Sequence, residues 1–124
     1  MAFQLKTRKL IEKDKTVCFV TSSNKGKPNA IYAVSCGLFE NKVLLADCQM
    51  NKTFKNLKEN KQVTIAVNDA KNYFQLKGRA NYLKKGKYFS IVKKINEGTP
   101  YKPKGAVLVT IKEIYALDTG KRIF

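Results

Sequence analysis

The first half of the chain is built from short strand-like segments joined by tight turns, and this pattern most restricts the fold. Residues 15–23 (KTVCFVTSS), 29–39 (NAIYAVSCGLF) and 43–48 (VLLADC) are rich in β-branched and apolar residues. The turns at 24–28 (NKGKP) and 40–42 (ENK) are too short for the crossover that parallel strands need. These segments therefore predict an antiparallel meander.

The rest of the chain continues with short elements. Residues 73–83 (YFQLKGRANYL) alternate strictly, with Phe74, Leu76, Gly78, Ala80 and Tyr82 on one face. Further strands are predicted at 62–68 and 106–117, helices at 2–13, 52–60 and 88–95, and a loop at 98–105. Six strands with short helices predict a mainly β protein, an antiparallel barrel whose openings are covered by helices. We find no repeat or linker, so we expect one domain over residues 1–124.

Composition excludes several functional classes. The chain has no histidine, which removes Ser-His-Asp and Cys-His catalysis and histidine-ligated zinc. No carboxylate pair stands out among the nine acidic residues, and no metal site is predicted. Cys18, Cys36 and Cys48 lie in apolar or strand-like stretches without a Cys-x-x-Cys, which favours reduced thiols in a cytosolic protein. No segment has the apolar length of a membrane span, and the amphipathic start lacks the features of a secretory signal.

The charge balance is strongly basic, with 25 Lys+Arg against 9 Asp+Glu and a formal net charge of +16. Such a surface attracts polyanions. Only Arg8, Arg79 and Arg122 are arginines, however, and readers of bases and phosphates depend on arginine. The charge is therefore consistent with an acidic redox partner or with a solvated lysine-rich surface, and a nucleic-acid role is the weaker interpretation.

The stretch MNKTFKNLKENKQV, residues 50–63, places a lysine and a hydroxyl at the start of a predicted helix. Asn51 is a candidate N-cap, and Phe54 and Leu57 are spaced to face a core. A helix N-terminus carries unpaired N–H groups and partial positive charge, so a phosphate binds there readily. Lys52 adds a full charge and Thr53 a donor. A simple capped helix start remains the alternative interpretation.

The order of motifs resembles the flavin-binding split-barrel superfamily that includes pyridoxamine 5′-phosphate oxidase, and in shape its small single-domain FMN-binding members. The resemblance extends over nearly the whole chain, through GKPNAIYAVSC, KVLLADCQMNKTFKNLKENKQVTIAV and YFQLKGRANYL. It implies a six-stranded split barrel, a homodimer and FMN in the groove between the subunits.

The resemblance also implies site residues. Lys52 and Thr53 would hold the phosphate. The strand beside the cofactor and the turn that faces the isoalloxazine would supply the remaining contacts, namely Tyr32, Ala33, Val34, Ser35, Asp47, Cys48, Gln49 and Met50. Cys48 and Gln49 stand where relatives carry glycines. Ser35 either donates to the phosphate or points to water, and Asp47 could simply cap the turn. Asn56 could order the loop, but a position on the helix surface is the favoured interpretation.

The tail Ile123–Phe124 is apolar, which suggests that it packs against protein surface rather than fraying in solvent. In the small relatives the C-terminus reaches the other subunit's cofactor, so we expect Phe124 near the partner's flavin. The reaction itself is open. The leading hypothesis is an electron carrier or small oxidoreductase, because a flavin supplies its own redox chemistry.

Two alternatives remain. One is an oxidase of B6 vitamers, although the arginine-rich substrate motifs and the longer C-terminal segment of those enzymes are not visible. The other is a basic nucleic-acid-binding barrel that stacks bases on aromatic side chains. The candidates are Tyr32, Tyr73, Phe74 and Tyr82, for which core positions are the favoured interpretation.

Overall fold

The computed structural model describes residues 3–124. Three short helices interrupt a succession of antiparallel strands. The helices are α1 (Leu5–Ile11), α2 (Lys52–Glu59) and α3 (Lys87–Ile95). The strands are β1 (Thr16–Ser22), β2 (Pro28–Phe39), β3 (Lys42–Asp47), β4 (Gln62–Asn68), β5 (Tyr73–Leu83), β6 (Gly105–Ala116) and β7 (Lys121–Arg122). No helix within residues 3–124 is long and apolar enough to span a bilayer.

The sheet closes on itself. Its order is β3-β2-β1-β4-β5-β6-β7, and an additional pairing of β3 with β6 joins the ends. The first six strands therefore form a closed antiparallel barrel, which confirms the predicted fold class. The short strand β7 pairs with β6 at Tyr115 and Ala116, and the sequence did not predict it.

The barrel interior is filled by the alternating apolar residues that the sequence predicted. On β5, Phe74, Leu76 and Ala80 are buried. Gly78 lies where β5 shifts register against β6, and a Cβ there would collide with the backbone oxygen of Thr110. The glycine is therefore required by the close approach of the two strands.

The helices cover the barrel surfaces left by the strands. Helix α1 buries Thr7 and Ile11, and Phe3, which precedes the helix, is also buried. The helix is shorter than the expected 2–13, of which residue 2 lies outside the described residues. Helix α2 packs mainly against β1. Helix α3 lies on the outer face of β6 and β3, where Val92 is buried in a second apolar cluster.

Strand β2 changes partners along its length, and this positions the site. Residues 28–34 pair with β1, while pairing with β3 begins only at Ser35 and shifts register before Gly37. The hydroxyl of Ser35 secures this irregularity, because it donates to the Ile11 carbonyl at 2.7 Å and accepts from the Gly37 N–H at 3.1 Å. The first half of β2 therefore keeps one edge free of β3.

Candidate functional site

A groove of about 690 Å³ lies along the free edge of β2. Its opposite wall is the turn that follows β3 together with the start of α2, and one end is bounded by the end of α3 and the loop after it. Strand β2 contributes the predicted residues Tyr32, Ala33, Val34 and Ser35. The turn and the first helical residues contribute the predicted Cys48, Gln49, Met50, Lys52 and Thr53.

The N-terminus of α2 opens into this groove. The first helical hydrogen bond runs from the Lys55 N–H to the Asn51 carbonyl at 3.1 Å, so the N–H groups of residues 52–54 precede the helical ladder. Asn51 occupies the N-cap position as predicted, but its side chain makes no capping bond. Lys52 is exposed at this end. The arrangement offers uncapped N–H groups, a partial positive charge and an ammonium to an anion.

Thr53 is fully buried behind this helix start. Its Oγ1 accepts a hydrogen bond from Asn29 Nδ2 at 3.1 Å, which ties α2 to the free edge of β2. Sequence reasoning missed Asn29, which also lines the groove, because a single asparagine in a strand carries no signal of its own.

Asp47 does not line the groove but holds the turn from behind. It is buried, and its Oδ1 accepts from the Met50 N–H at 2.8 Å. Its other oxygen accepts from the Tyr82 hydroxyl, and Lys104 Nζ lies 3.9 Å from Oδ1. Asp47 therefore caps the turn, the alternative that the sequence left open for it.

Burial suppresses the acidity of the groups around this turn. Burial, and then the hydrogen bond to Asp47, raises the pKa of Tyr82 well above its ordinary value of 10.0. Burial is also the main cause that raises the pKa of Cys36 to about 11 and that of Cys48 above 9.0. The two thiols line the groove in their protonated form at neutral pH, and all three cysteines are free.

Two sequence expectations about individual side chains are wrong. Of the two alternatives for Ser35, exposure to water is wrong, since the residue is 1% exposed. Its hydroxyl donates to the Ile11 carbonyl and accepts from the Gly37 N–H, so its proton is not directed at a phosphate either. Asn56 does not sit on the helix surface, because it is buried and donates to Thr21 Oγ1 at 3.0 Å. Both side chains connect elements of the fold.

Two predicted aromatic positions also differ from expectation. Tyr32 is 82% exposed and Tyr73 is 48% exposed, although core positions were favoured for them. Phe74 is buried as expected, and Tyr82 is partly buried in the main core.

Phe124 lies outside the groove of its own chain. Its ring packs edge-on against Phe3, with centroids 4.7 Å apart. The Ile123 N–H donates to the Ile114 carbonyl at 2.8 Å, so the tail is attached to β6. The expectation that Phe124 lies near a partner's flavin stays a prediction.

The far end of the groove contains residues that sequence reasoning did not select. Asp14 and Thr16 line it after α1, and Ile95, Asn96 and Tyr101 line it from α3 and the following loop. Tyr101 belongs to the GTPYKPKG segment, which signals a loop but no ligand contact.

The sequence profile of the family described as pyridoxamine 5′-phosphate oxidase matches residues 3–118. The chain belongs to this family. The chain is also similar to an uncharacterized protein of Methanocaldococcus jannaschii, with 37% identity over 110 residues, which cover 84% of this chain and 74% of the relative.

Several solved structures share the fold of this chain. Group A Streptococcus HupZ has a TM-score of 0.87 at 22% identity and covers 98% of this chain and 99% of its own. An FMN-binding protein from Syntrophomonas wolfei has a TM-score of 0.75 at 21% identity, covering 90% and 84%. HutZ of Vibrio cholerae, described as a heme storage protein, has a TM-score of 0.70 at 13% identity, covering 94% and 95%. At these identities the likeness concerns the fold alone.

Proposed function

We propose that this member of the pyridoxamine 5′-phosphate oxidase family is a single-domain cytosolic flavoprotein that binds FMN in the β2 groove and acts as an electron carrier or small oxidoreductase. The observation that carries the proposal is the uncapped N-terminus of α2, with Lys52 beside it, opening into a groove of about 690 Å³. A phosphate monoester is the ligand chemistry that matches this end.

The chain's own residues fit the phosphate end of FMN. The N–H groups of residues 52–54 and the Lys52 ammonium supply donors, and Asn29 keeps the helix start beside β2 through Thr53. Because Thr53 is fully buried, its contribution is to position the helix start. The backbone N–H groups and Lys52 therefore carry the charge-assisted contacts.

The rest of the groove fits the ring and the ribityl chain. Tyr32 and Val34 expose apolar surface on one side, and the Cys48–Met50 turn faces them. FMN would supply the hydride and electron chemistry, while the protein binds and orients it. The thiols of Cys36 and Cys48 are protonated and therefore add no negative charge to the groove.

The outer face of β1, β2 and β4 supports a homodimer. The strand registers place Tyr32 beside Cys18 and Ala66, and Ala30 beside Val20 and Thr64. With Tyr32 82% and Val34 53% exposed, this face is a neutral, largely apolar surface on a chain of net charge +16. A second copy of this chain could pack its own neutral face against this one without bringing like charges together. The groove at the edge of β2 would then border the dimer interface.

Other functions have weaker support. The family name favours oxidation of a phosphorylated B6 vitamer, but Lys52 is the one cationic side chain among the described residues that line the groove. A nucleic-acid role would use the exposed Tyr32 and Tyr73 together with the basic surface. Heme bound through histidine has no ligand in this sequence.

The test is titration of the purified protein with FMN, riboflavin and heme, each followed by absorbance and by gel filtration. We expect about one FMN per chain, tighter binding of FMN than of riboflavin, and elution at twice the mass of the chain. A protein that takes up no FMN contradicts the proposal, and preferential uptake of heme would replace it. Tight, salt-sensitive binding of single-stranded oligonucleotides would favour the nucleic-acid alternative.

A further inference from the structure

We infer that the Asp14 end of the groove is a subsite for a second small molecule, one that presents a cationic or hydrogen-bond-donating group rather than a phosphate. The inference rests on the proposed function, because it places this molecule beside the ring of an FMN anchored at Lys52. It goes further by assigning the chemistry of the molecule with which the flavin would exchange electrons.

The groove has two chemically different ends. Asn29 donates to Thr53 at the start of α2, and the Ser35 carbonyl accepts from the Asp14 N–H at 2.8 Å. The six residue steps from Asn29 to Ser35 correspond to about 20 Å of extended strand. Among the described lining residues, Lys52 is the one cation and Asp14 the one carboxylate. An FMN phosphate held at the Lys52 end therefore directs the ring towards the carboxylate.

The groups at the Asp14 end accept hydrogen bonds. Within residues 3–124, the Asp14 carboxylate takes part in neither of the two ion pairs and in no side-chain hydrogen bond. Asn96 uses its Nδ2 to donate to the Val92 carbonyl at 2.8 Å, which leaves its Oδ1 as an acceptor. A ligand with an ammonium or hydroxyl donor matches this set, whereas a phosphate would meet the carboxylate unfavourably.

The walls beside these acceptors suit a flat or apolar ligand body. Tyr101, which is 53% exposed, and Ile95 line the groove near Asn96. The Asp14 backbone has a φ of 75°, a left-handed conformation that the chain adopts between α1 and β1. Asparagine also tolerates this conformation, so Asp14→Asn removes the charge and keeps the turn.

The experiment uses three probes that share a phenyl ring and differ in the charge of the polar group: benzylamine, benzyl alcohol and benzoate. They are titrated calorimetrically into the FMN-loaded wild-type protein, Asp14→Asn, and the control Asp118→Asn. Asp118 is exposed in the turn after β6 and does not line the groove. A charge-assisted hydrogen bond at a partly exposed site should favour benzylamine over benzyl alcohol about five- to tenfold. Benzoate should bind most weakly.

Asp14→Asn should bring the three affinities to within about twofold, and Asp118→Asn should leave the wild-type order unchanged. The net charge of +16 attracts anions in general, so a preference for benzylamine can only arise locally. Benzoate binding as tightly as benzylamine, a preference that survives Asp14→Asn, or no binding of any probe at millimolar concentration would each overturn the inference.

Failure of the proposed function would be visible separately. If the protein takes up no FMN, the FMN titration fails, and the same three probes are titrated into the cofactor-free protein. A lost benzylamine preference in Asp14→Asn would then support the subsite without the flavin. Binding of benzylamine only in the absence of FMN would instead place it in the ring position and overturn the subsite.

Discussion

The Tyr82 hydroxyl donates a hydrogen bond to the buried carboxylate of Asp47. Tyr82 comes from β5 and Asp47 ends β3, and both strands pair with β6, so the bond spans β6 and reaches the turn that forms the groove wall. Asp47 also accepts the Met50 N–H at 2.8 Å. The Tyr82 ring leaves no room for a side chain at Gly105, whose Cβ would collide with it. A side chain remote from the groove thereby fixes the position of the turn.

Tyr82→Phe should destabilise the protein and loosen the groove. The change leaves a buried carboxylate oxygen without its donor, which typically costs about 1–3 kcal/mol of unfolding free energy. We expect this loss in urea denaturation, together with weaker FMN binding. Tyr73→Phe is the matched control, because Tyr73 is half-exposed on the same strand. Equal stabilities for the two variants would show that the Tyr82 hydroxyl does not support the turn.

The same hydrogen bond predicts a pH dependence. The pKa of Tyr82 is raised in the folded protein relative to its ordinary value of 10.0, so the folded state keeps a proton that the unfolded state loses. Stability from this group is complete below pH 10 and declines as the pH rises above it. As the pH rises above 10, wild-type protein should therefore lose unfolding free energy more steeply than Tyr82→Phe. Parallel curves for the two proteins would contradict the raised pKa.

Tyr32→Glu should separate the subunits of the proposed homodimer without unfolding the chain. Tyr32 is 82% exposed on the neutral outer face, so a carboxylate there would be buried unpaired in a dimer. Sedimentation equilibrium should show a monomer with an unchanged circular dichroism spectrum. Tyr73→Glu, on another strand, should stay dimeric. A dimer that persists in Tyr32→Glu would place the interface elsewhere.

Much of the fold follows from periodicity in the sequence. The alternation in residues 73–83 identifies the buried face of β5, and the spacing of Thr7 and Ile11 identifies that of α1. Asn56 could not be assigned in this way, because it does not share the spacing of Phe54 and Leu57 and it is buried where it donates to Thr21 on β1.

The remaining features depend on contacts between distant segments. Both faces of β2 carry apolar residues, so periodicity could not show that Tyr32 faces outward. The change of partner at Ser35, which frees the edge of β2, depends on how β3 pairs with β6. Asp14 enters the groove only because its N–H bonds to Ser35, 21 residues along the chain. No local signal marks such a position.

The central claim is that the phosphate of FMN binds Lys52 at the start of α2. A charge-assisted hydrogen bond typically contributes ~1.5–3 kcal/mol, so Lys52→Ala should weaken FMN binding roughly 10- to 150-fold. Riboflavin has the same ring without the phosphate, and its affinity should barely change. Lys55→Ala and Lys58→Ala are controls, because both side chains are exposed on the same helix.

The most direct measurement is therefore the ratio of FMN to riboflavin dissociation constants in the wild type and the three lysine variants. We predict that this ratio moves towards one in Lys52→Ala alone. Equal losses for both ligands in Lys52→Ala, or equal losses of FMN affinity in all three variants, would contradict a phosphate site at the start of α2.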